Sequence, residues 1–510
     1  MKKIGFLFGA GAEFSYGMPS GGKFALDIFR QPVDKPKAKL KKMRDEVNSG
    51  TGYATNWLPS DYRDKSIRAY TQRVYDSIIR DTINNNKNSI VKKINSLDQL
   101  ANQVIGRVYL NKNEDPVDIF DQQVQDDLNV TVGNINISQK LQYNKFFAEG
   151  NNLFKSHYMS IFLEYYRRYN FDNEDEKELL GELLKAIFQL HIGALSSMVS
   201  NSVEDSVFEK QYLDVDFFDE LGGSLNVNYE TAGITGLKLL SDKKIEKTKE
   251  SKIVTFVYLI VEQIYADVLD YKTLIDSNWH YLYLPGSEWA KFTKISVFLY
   301  TVQEYIKEQA KSLDSNKSGY YSELRKELDN NNIEASAIAT TNYSSFIKTV
   351  VNRKVLFLNG GIDIFYDPYM NNIIYDVNEY RKNNRDDPHI LVPLLFTQSG
   401  TKPMTSIDMS KIYVDFYEAL QESDIICSIG FGFNPDDEHI NGIIRTLVER
   451  DDKQLFIVSN LKNNVSEQKR NYAKNLKISK MNNLHVIRVN NDRIVEETGE
   501  KWYTKLEELD

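Results

Sequence analysis

Hydrophobic and polar positions follow two textures along the chain. In the first 30 residues and again after about residue 333, short runs of apolar and β-branched residues are spaced by amphipathic stretches. The runs Ile4 to Phe8, Ser336 to Thr341, Val355 to Leu358, Ile390 to Phe396, Ile425 to Ile429, Leu455 to Ser459 and His485 to Val489 predict strands. Helices are predicted between and after them at Ser410 to Glu422, Asp436 to Glu449 and Asp492 to Leu509. Strands that are apolar throughout, alternating with helices, imply a parallel sheet covered on both faces, an α/β Rossmann-like architecture. Ligands of such sheets bind beyond the carboxyl ends of the strands, where the strand order reverses.

Between residues 31 and 332 the pattern becomes that of amphipathic helices, predicted near 62–110, 138–171, 174–200, 252–276 and 287–312. Leu179-Leu180, Leu183-Leu184 and Ile187-Phe188 repeat at helical spacing, whereas Leu213 to Lys238 leans towards β-structure. The expected organisation is a core of residues 1–30 and 333–510 interrupted by a mostly helical insertion, 31–332. That insertion is large enough for a core of its own and is the expected regulatory or assembly surface.

The composition narrows the class. A chain of 510 residues that is 41% hydrophobic and 26% charged buries substantial cores. Its net charge of -9, from 63 basic against 72 acidic residues, argues against nucleic-acid phosphate as the main ligand. The most apolar stretch, Ile253 to Leu269, is broken by Glu262, Gln263 and Asp267, so no membrane span is expected. The apolar run after Met1-Lys2-Lys3 ends at Gly9, which predicts a strand instead of a signal peptide, and a cytoplasmic location. The single cysteine, Cys427, lies in an apolar run and is expected in the core. With no two of the six histidines at ligand spacing, no metal is expected.

Candidate chemistry clusters at the predicted strand ends. The first run leads into Gly9-Ala10-Gly11-Ala12-Glu13-Phe14-Ser15-Tyr16-Gly17-Met18-Pro19, where glycines permit close backbone approach to a phosphate. Gly-Ala-Gly alone also fits any tight strand-to-helix turn, and Phe14 stands where a dehydrogenase fingerprint requires Gly or Ala. The other segments are Thr340-Thr341-Asn342-Tyr343, Leu358-Asn359-Gly360-Gly361 and Gly430-Phe431-Gly432-Phe433-Asn434-Pro435-Asp436-Asp437-Glu438-His439. The last also reads as a helix start, with Asn434 as cap, Pro435 at the first position and carboxylates in the first turn.

Together, in this order, these segments resemble the sirtuin family, and the branch found in bacterial anti-phage defence in particular. The likeness covers residues 1–30 and 333–510 and none of the helical middle. It implies that Gly9, Ala10, Gly11, Phe14, Met18 and Pro19 wrap around a dinucleotide, with Thr341, Gly360, Gly430, Gly432, Asp436 and Asp437 completing the NAD site. It also implies Asn342 as a catalytic residue. Asn359 stands where the family has its base histidine, and an amide accepts no proton at neutral pH. His439 is the preferred replacement, ahead of His389 and His157. The four-cysteine zinc module of the deacetylating members is absent, which puts protein deacylation below the other readings.

Releasing nicotinamide from NAD passes through an oxocarbenium-like ribose, and the cationic leaving group departs neutral, so positioning matters more than a strong base. The expected activity is NAD hydrolysis to nicotinamide and ADP-ribose, with NAD as substrate, by an anti-phage effector that depletes the cofactor. Such an activity is expected to be conditional, controlled within a homo-oligomer or by another subunit of a defence system. The alternative is a non-catalytic sensor that binds NAD or ADP-ribose.

Overall fold

Seven of the chain's strands follow the apolar runs closely or extend them by a residue or two, and their pairing sets the architecture. The computed structural model describes residues 2–19, 21–109, 114–135, 152–171, 173–200, 213–218, 223–227, 236, 239–240, 251–266, 272–396, 406–460 and 464–506. The strands are β1 (Lys3–Phe8), β2 (Leu213–Phe218), β3 (Gly223–Val227), β4 (Glu334–Thr340), β5 (Leu356–Phe357), β6 (Gly360–Asp367), β7 (Asn372–Ile374), β8 (Val392–Leu395), β9 (Ile425–Ile429), β10 (Gln454–Ser459) and β11 (Leu484–Arg488).

A six-stranded sheet has the order β11-β10-β9-β1-β4-β5, and its neighbours pair in parallel. The fold is α/β and Rossmann-like, with helical insertions. From β1 the chain builds β4 and β5 on one side, then crosses to build β9, β10 and β11 on the other. The strand order therefore reverses between β1 and β9, where Phe8 pairs with Ile429. One sheet face buries Phe6, Phe8, Tyr321, Cys427 and Trp502, and the other buries Leu7, Phe416, Ile426, Ile444 and Leu455. Cys427 is fully buried, as its apolar run implies.

The expected parallel sheet differs at one member. The run ending in Phe396 forms β8, which pairs antiparallel with β6 in a separate sheet of order β7-β6-β8. Gly360 explains the departure: its φ of +76° turns the chain away immediately after β5. Pro393 has no amide hydrogen and sits in the edge strand β8, where a missing donor is tolerated.

The helix expected over Asp492 to Leu509 is also absent as far as the described residues reach. Arg493 and Gly499 have φ of +61° and +75° and turn the chain back, so that Ile494 bridges Lys501 and only the short turn Thr504–Leu506 is helical. That return brings Trp502 into the core against Phe6, with ring centroids 6.4 Å apart.

The chain divides into two compact units. The first comprises Met1–Ser20, Gln31–Tyr70 and Tyr271–Asp510, and the second Gly21–Arg30 and Thr71–Asp270. These boundaries differ from a break at residues 30 and 332. The helices Asp34–Glu46 and Pro285–Lys311 belong with the sheets: Tyr300 donates to the Leu391 carbonyl at 2.7 Å and Gln303 to the Ile362 carbonyl at 2.5 Å. The helix Tyr320–Asp329 also lies within the first unit.

The second unit is mostly helical, with the antiparallel pair β2 and β3. The stretch 62–110 is broken into Gln72–Asn85, Lys87–Ile94 and Leu97–Val104, and 174–200 forms the single helix Glu174–Ser200. Of the stretch 138–171, residues 138–151 lie outside the described residues, and His157–Arg168 is helical. The helix Gly21–Phe29 packs on Lys252–Ala266, where Glu262 meets Lys23 and Arg30, each at 3.2 Å. Burial raises the Glu262 carboxyl, but these two cations outweigh it and hold the group below the usual range. Among the described residues no helix is long and apolar enough to cross a membrane.

Candidate functional site

The first loop begins where β1 ends. Residues Ala10–Tyr16 form a 3-10 turn closed by Gly17, whose φ of +109° suits only glycine and whose amide donates to the Phe14 carbonyl at 3.0 Å. Gly9 and Gly11 earn their places by contact with the loop after β9. Their amides donate to the carbonyls of Ile429 and Gly430, and a Cβ on Gly11 would lie 2.8 Å from the Gly430 Cα. Gly430 itself has φ of +67°, and a Cβ there would lie 2.2 Å from the Ala12 nitrogen. The amides of Gly9 and Gly11 are thus both engaged by the neighbouring strand end.

At the end of β4, Thr341 and Asn342 are buried and tied to β1. The Thr341 amide donates to the Phe8 carbonyl at 3.0 Å, and the Asn342 amide to Thr340 Oγ1 at 3.0 Å. Neither Thr341 nor Asn342 caps the following helix Phe346–Val351, whose first amide takes Ser344 Oγ. Asn342 Nδ2 donates instead to the Gly9 carbonyl at 3.1 Å and to the Tyr321 hydroxyl at 3.2 Å. Tyr321 in turn donates to Glu13 Oε1 at 3.1 Å. Glu13 is 2% exposed, and burial pushes its carboxyl up to about 7 even though Tyr321 and Asn342 favour the charged form. The Tyr321 hydroxyl is raised well above its ordinary value by burial and then by the Glu13 charge.

Asn359 is 1% exposed, and its Nδ2 donates to the Thr341 carbonyl at 3.4 Å, which joins the third motif to the second. Gly360 is committed to packing, because a Cβ would lie 2.0 Å from the Leu394 carbonyl oxygen. The fourth motif approaches the same strand end through Tyr413, whose hydroxyl donates to the Leu358 carbonyl at 2.6 Å. The Tyr413 ring lies 5.6 Å from that of His439, and burial followed by the Asp437 charge raises its hydroxyl. His439 is half-buried and begins the helix Glu438–Glu449, which packs on the sheet face opposite the one that holds Tyr321. Asp437 is buried, while Gly432 and Asp436 are exposed. The helix-start reading holds in part: Asn434 caps the turn Pro435–Asp437 without a side-chain bond, and the α-helix begins at Glu438.

A cavity of about 270 Å³ opens beyond β1, β9, β10 and β11, the side of the sheet where the strand order reverses. Gly11, Phe14, Gly430, Asn460, Asn490 and Arg493 are among its lining residues. Phe14 is 46% exposed and so presents an aromatic ring at this opening. The Arg493 guanidinium is held by Glu323 through two contacts of 3.0 Å. Burial raises the Glu323 carboxyl, but Arg493, Lys501 and Trp502 together hold it below its usual range. Met18 and Pro19, half-buried, follow the turn that Gly17 ends. Of the other histidines considered, His389 pairs with Asp367 beside the three-stranded sheet, and His157 lies in the helical unit.

Four residue types of interest were missed from sequence: Glu13, Tyr321, the amides after β10 and β11, and Arg493. Glu13 had a signal, as a carboxylate between Ala12 and Phe14 inside a loop of small and apolar residues. Asn460, directly after an apolar strand, had another. Neither the family models nor the curated proteins compared with the chain match it.

Proposed function

We propose that the first unit binds NAD and hydrolyses it to nicotinamide and ADP-ribose. The observation that carries this reading is Asn342, a nearly buried amide at a strand end whose two N–H groups are engaged by Gly9 and Tyr321. What remains for a ligand is its oxygen, a fixed acceptor for a ribose hydroxyl or a water. The Gly9–Gly11 loop lies between this amide and the cavity lined by Asn460 and Asn490. A dinucleotide crossing the loop places one nucleoside on each side. The cavity is smaller than the roughly 300–1,000 Å³ of drug-sized sites, which suits one nucleoside half with Phe14 as a stacking face.

In the reaction the glycosidic C1′–N bond breaks and its electron pair stays on the nicotinamide nitrogen, which leaves neutral. A water oxygen bonds to C1′ and its surplus proton passes to solvent. Asn342 orients the ribose or the water, and enclosure of the site contributes the rest. Because depletion of NAD is toxic, control by self-association or by another subunit of a defence system, as the sequence resemblance implies, is part of this proposal.

Asn359 favours a second reading. Its amide is buried where the family has a base, so a chain that binds NAD or ADP-ribose without turnover is the alternative. Incubating the full chain with NAD separates the two: release of nicotinamide in step with ADP-ribose supports hydrolysis, while saturable binding with no release supports the sensor. Absence of both removes NAD as the ligand.

A further inference from the structure

We propose that Glu13 is a positioning residue of this site: acting through the Tyr321 hydroxyl, its carboxylate holds the Asn342 amide in one orientation, and protonation of Glu13 releases it. This rests on the NAD-hydrolysing reading for its consequence, but its physical core is a property of the protein alone.

The donor pattern decides the argument. With Glu13 ionised, both carboxylate oxygens accept, so Tyr321 donates to Oε1 and its own oxygen accepts from Asn342 Nδ2. The second N–H of Asn342 goes to the Gly9 carbonyl, which can only accept. The amide is thereby oriented from both sides, with its oxygen left for a ligand. A protonated Glu13 carries a hydrogen of its own and can donate to the Tyr321 oxygen. The Tyr321 hydrogen then turns towards Asn342, where it needs an acceptor. Asn342 meets that need only by turning its oxygen inward, which would set that oxygen against the Gly9 carbonyl. Because the other oxygen of the protonated acid can still accept from Tyr321, the protonated state admits both donor patterns, and the amide loses its single enforced orientation.

The surroundings make this a switch and not a passive buried acid. The groups that bear on Glu13 are Tyr321, from the helix Tyr320–Asp329, and Asn342, from the end of β4. Tyr16, on the same turn as Glu13, stacks on Tyr321 with centroids 5.5 Å apart, and its hydroxyl accepts from the amides of Tyr321 and Ser322. The charge that acts on Tyr16 is that of Arg493, which is paired with Glu323. Burial raises the Glu13 carboxyl to about 7, which puts its two states within reach of small changes in pH or in the enclosure of the loop.

The test uses the full chain and the variants Glu13→Gln and Tyr321→Phe, both close in volume to the parent. Two readouts need no substrate: infrared pH-difference spectra for the carboxylic acid band, and the side-chain amide signal of Asn342 in ¹⁵N-asparagine-labelled protein. The proposal expects the acid band to titrate near neutrality in the parent and to be missing in Glu13→Gln. It expects the Asn342 signal to move with the same midpoint, and this response to vanish in Glu13→Gln and to shrink in Tyr321→Phe, where only the direct influence of Glu13 on Asn342 remains. With NAD, kcat in the parent should fall about tenfold per pH unit below the midpoint. In Glu13→Gln it should be flat and several-fold below the parent's alkaline rate, since a neutral acceptor holds Tyr321 less firmly. In Tyr321→Phe kcat should fall while KM changes little. An Asn342 signal indifferent to pH, or an acid limb that survives in Glu13→Gln, overturns the proposal. Release of no nicotinamide by the parent at any pH overturns the hydrolytic reading, while the amide signal still decides the role of Glu13.

Discussion

Asn342 and Gly9 are joined across the gap between two parallel strands by a hydrogen bond of 3.1 Å from side-chain amide to backbone carbonyl. The bond links the ends of β4 and β1 beside the point where the strand order reverses. It makes the amide part of the scaffold and part of the site at once. Asn342→Ala is therefore expected to lower nicotinamide release by about 100-fold or more. The Gly9 carbonyl keeps the Ala12 amide and the Tyr321 hydroxyl keeps Glu13, so the two lost hydrogen bonds should cost about 1–3 kcal/mol of stability together. Turnover and thermal unfolding measured on the same preparation check both, and equal turnover in variant and parent would remove Asn342 from the mechanism.

Gly430 gives the sharpest test of how the two loops are held together. An alanine there needs an unfavourable backbone conformation, and its methyl would enter the space of the Ala12 nitrogen, 2.2 Å away. Gly430→Ala should destabilise the protein by about 3 kcal/mol or more. Gly442, with nothing near a Cβ, is the control: Gly442→Ala should be neutral or slightly stabilising in the same denaturant titration.

Glu13 also predicts a pH dependence of stability. Its folded value, about 7, lies above the ordinary 4.5, so between the two the native state binds more protons than the unfolded chain. Stability must then fall as pH rises through that window, and the cost is complete above it, on the order of 3 kcal/mol. Glu13→Gln carries no such cost. Its unfolding temperature should gain on the parent's as pH rises through the window and keep a constant lead above it. A difference that does not vary with pH would show that Glu13 ionises in the fold at its ordinary value.

His389 predicts a second loss of stability with rising pH, in the range above its ordinary value. Its Nδ1 lies 2.6 Å from Asp367 Oδ2, its ring stacks on Tyr53 at 4.1 Å, and Asp387 faces its other nitrogen at 3.7 Å. Burial lowers the imidazole, but Asp367 and Asp387 outweigh it and hold it above its ordinary 6.5. The stabilisation is fully present below that ordinary value and is lost as pH rises through the folded one. Asp367→Asn should therefore destabilise more at about pH 6 than at about pH 9, as thermal unfolding across pH would show. A loss equal at both would assign Asp367 to its bonds with the Tyr369 and Met370 amides and the Tyr380 hydroxyl.

The sequence by itself determined the parallel sheet and the positions of its strand ends. Ile4 to Phe8, Ile425 to Ile429 and Leu455 to Ser459 are apolar without a break, and only a strand covered on both faces buries such a run. It also marked Asn342, Asn359 and the two glycine loops, through the order of four segments at strand ends that resembles the sirtuin family, since each segment taken alone also reads as a turn or a helix cap. The tertiary structure alone decided three things. The antiparallel β6 was hidden behind Asn359-Gly360-Gly361, which reads as a turn until Gly360 is seen to redirect the chain. The end of the chain reads as a helix by period, but two left-handed residues and the burial of Trp502 overrule local propensity. The partnership of Glu13, Tyr321 and Asn342 joins residues more than 300 positions apart. Periodicity reports which face of an element is buried. It carries no record of which distant polar groups meet there, and the ionisation of a buried carboxylate depends on that meeting.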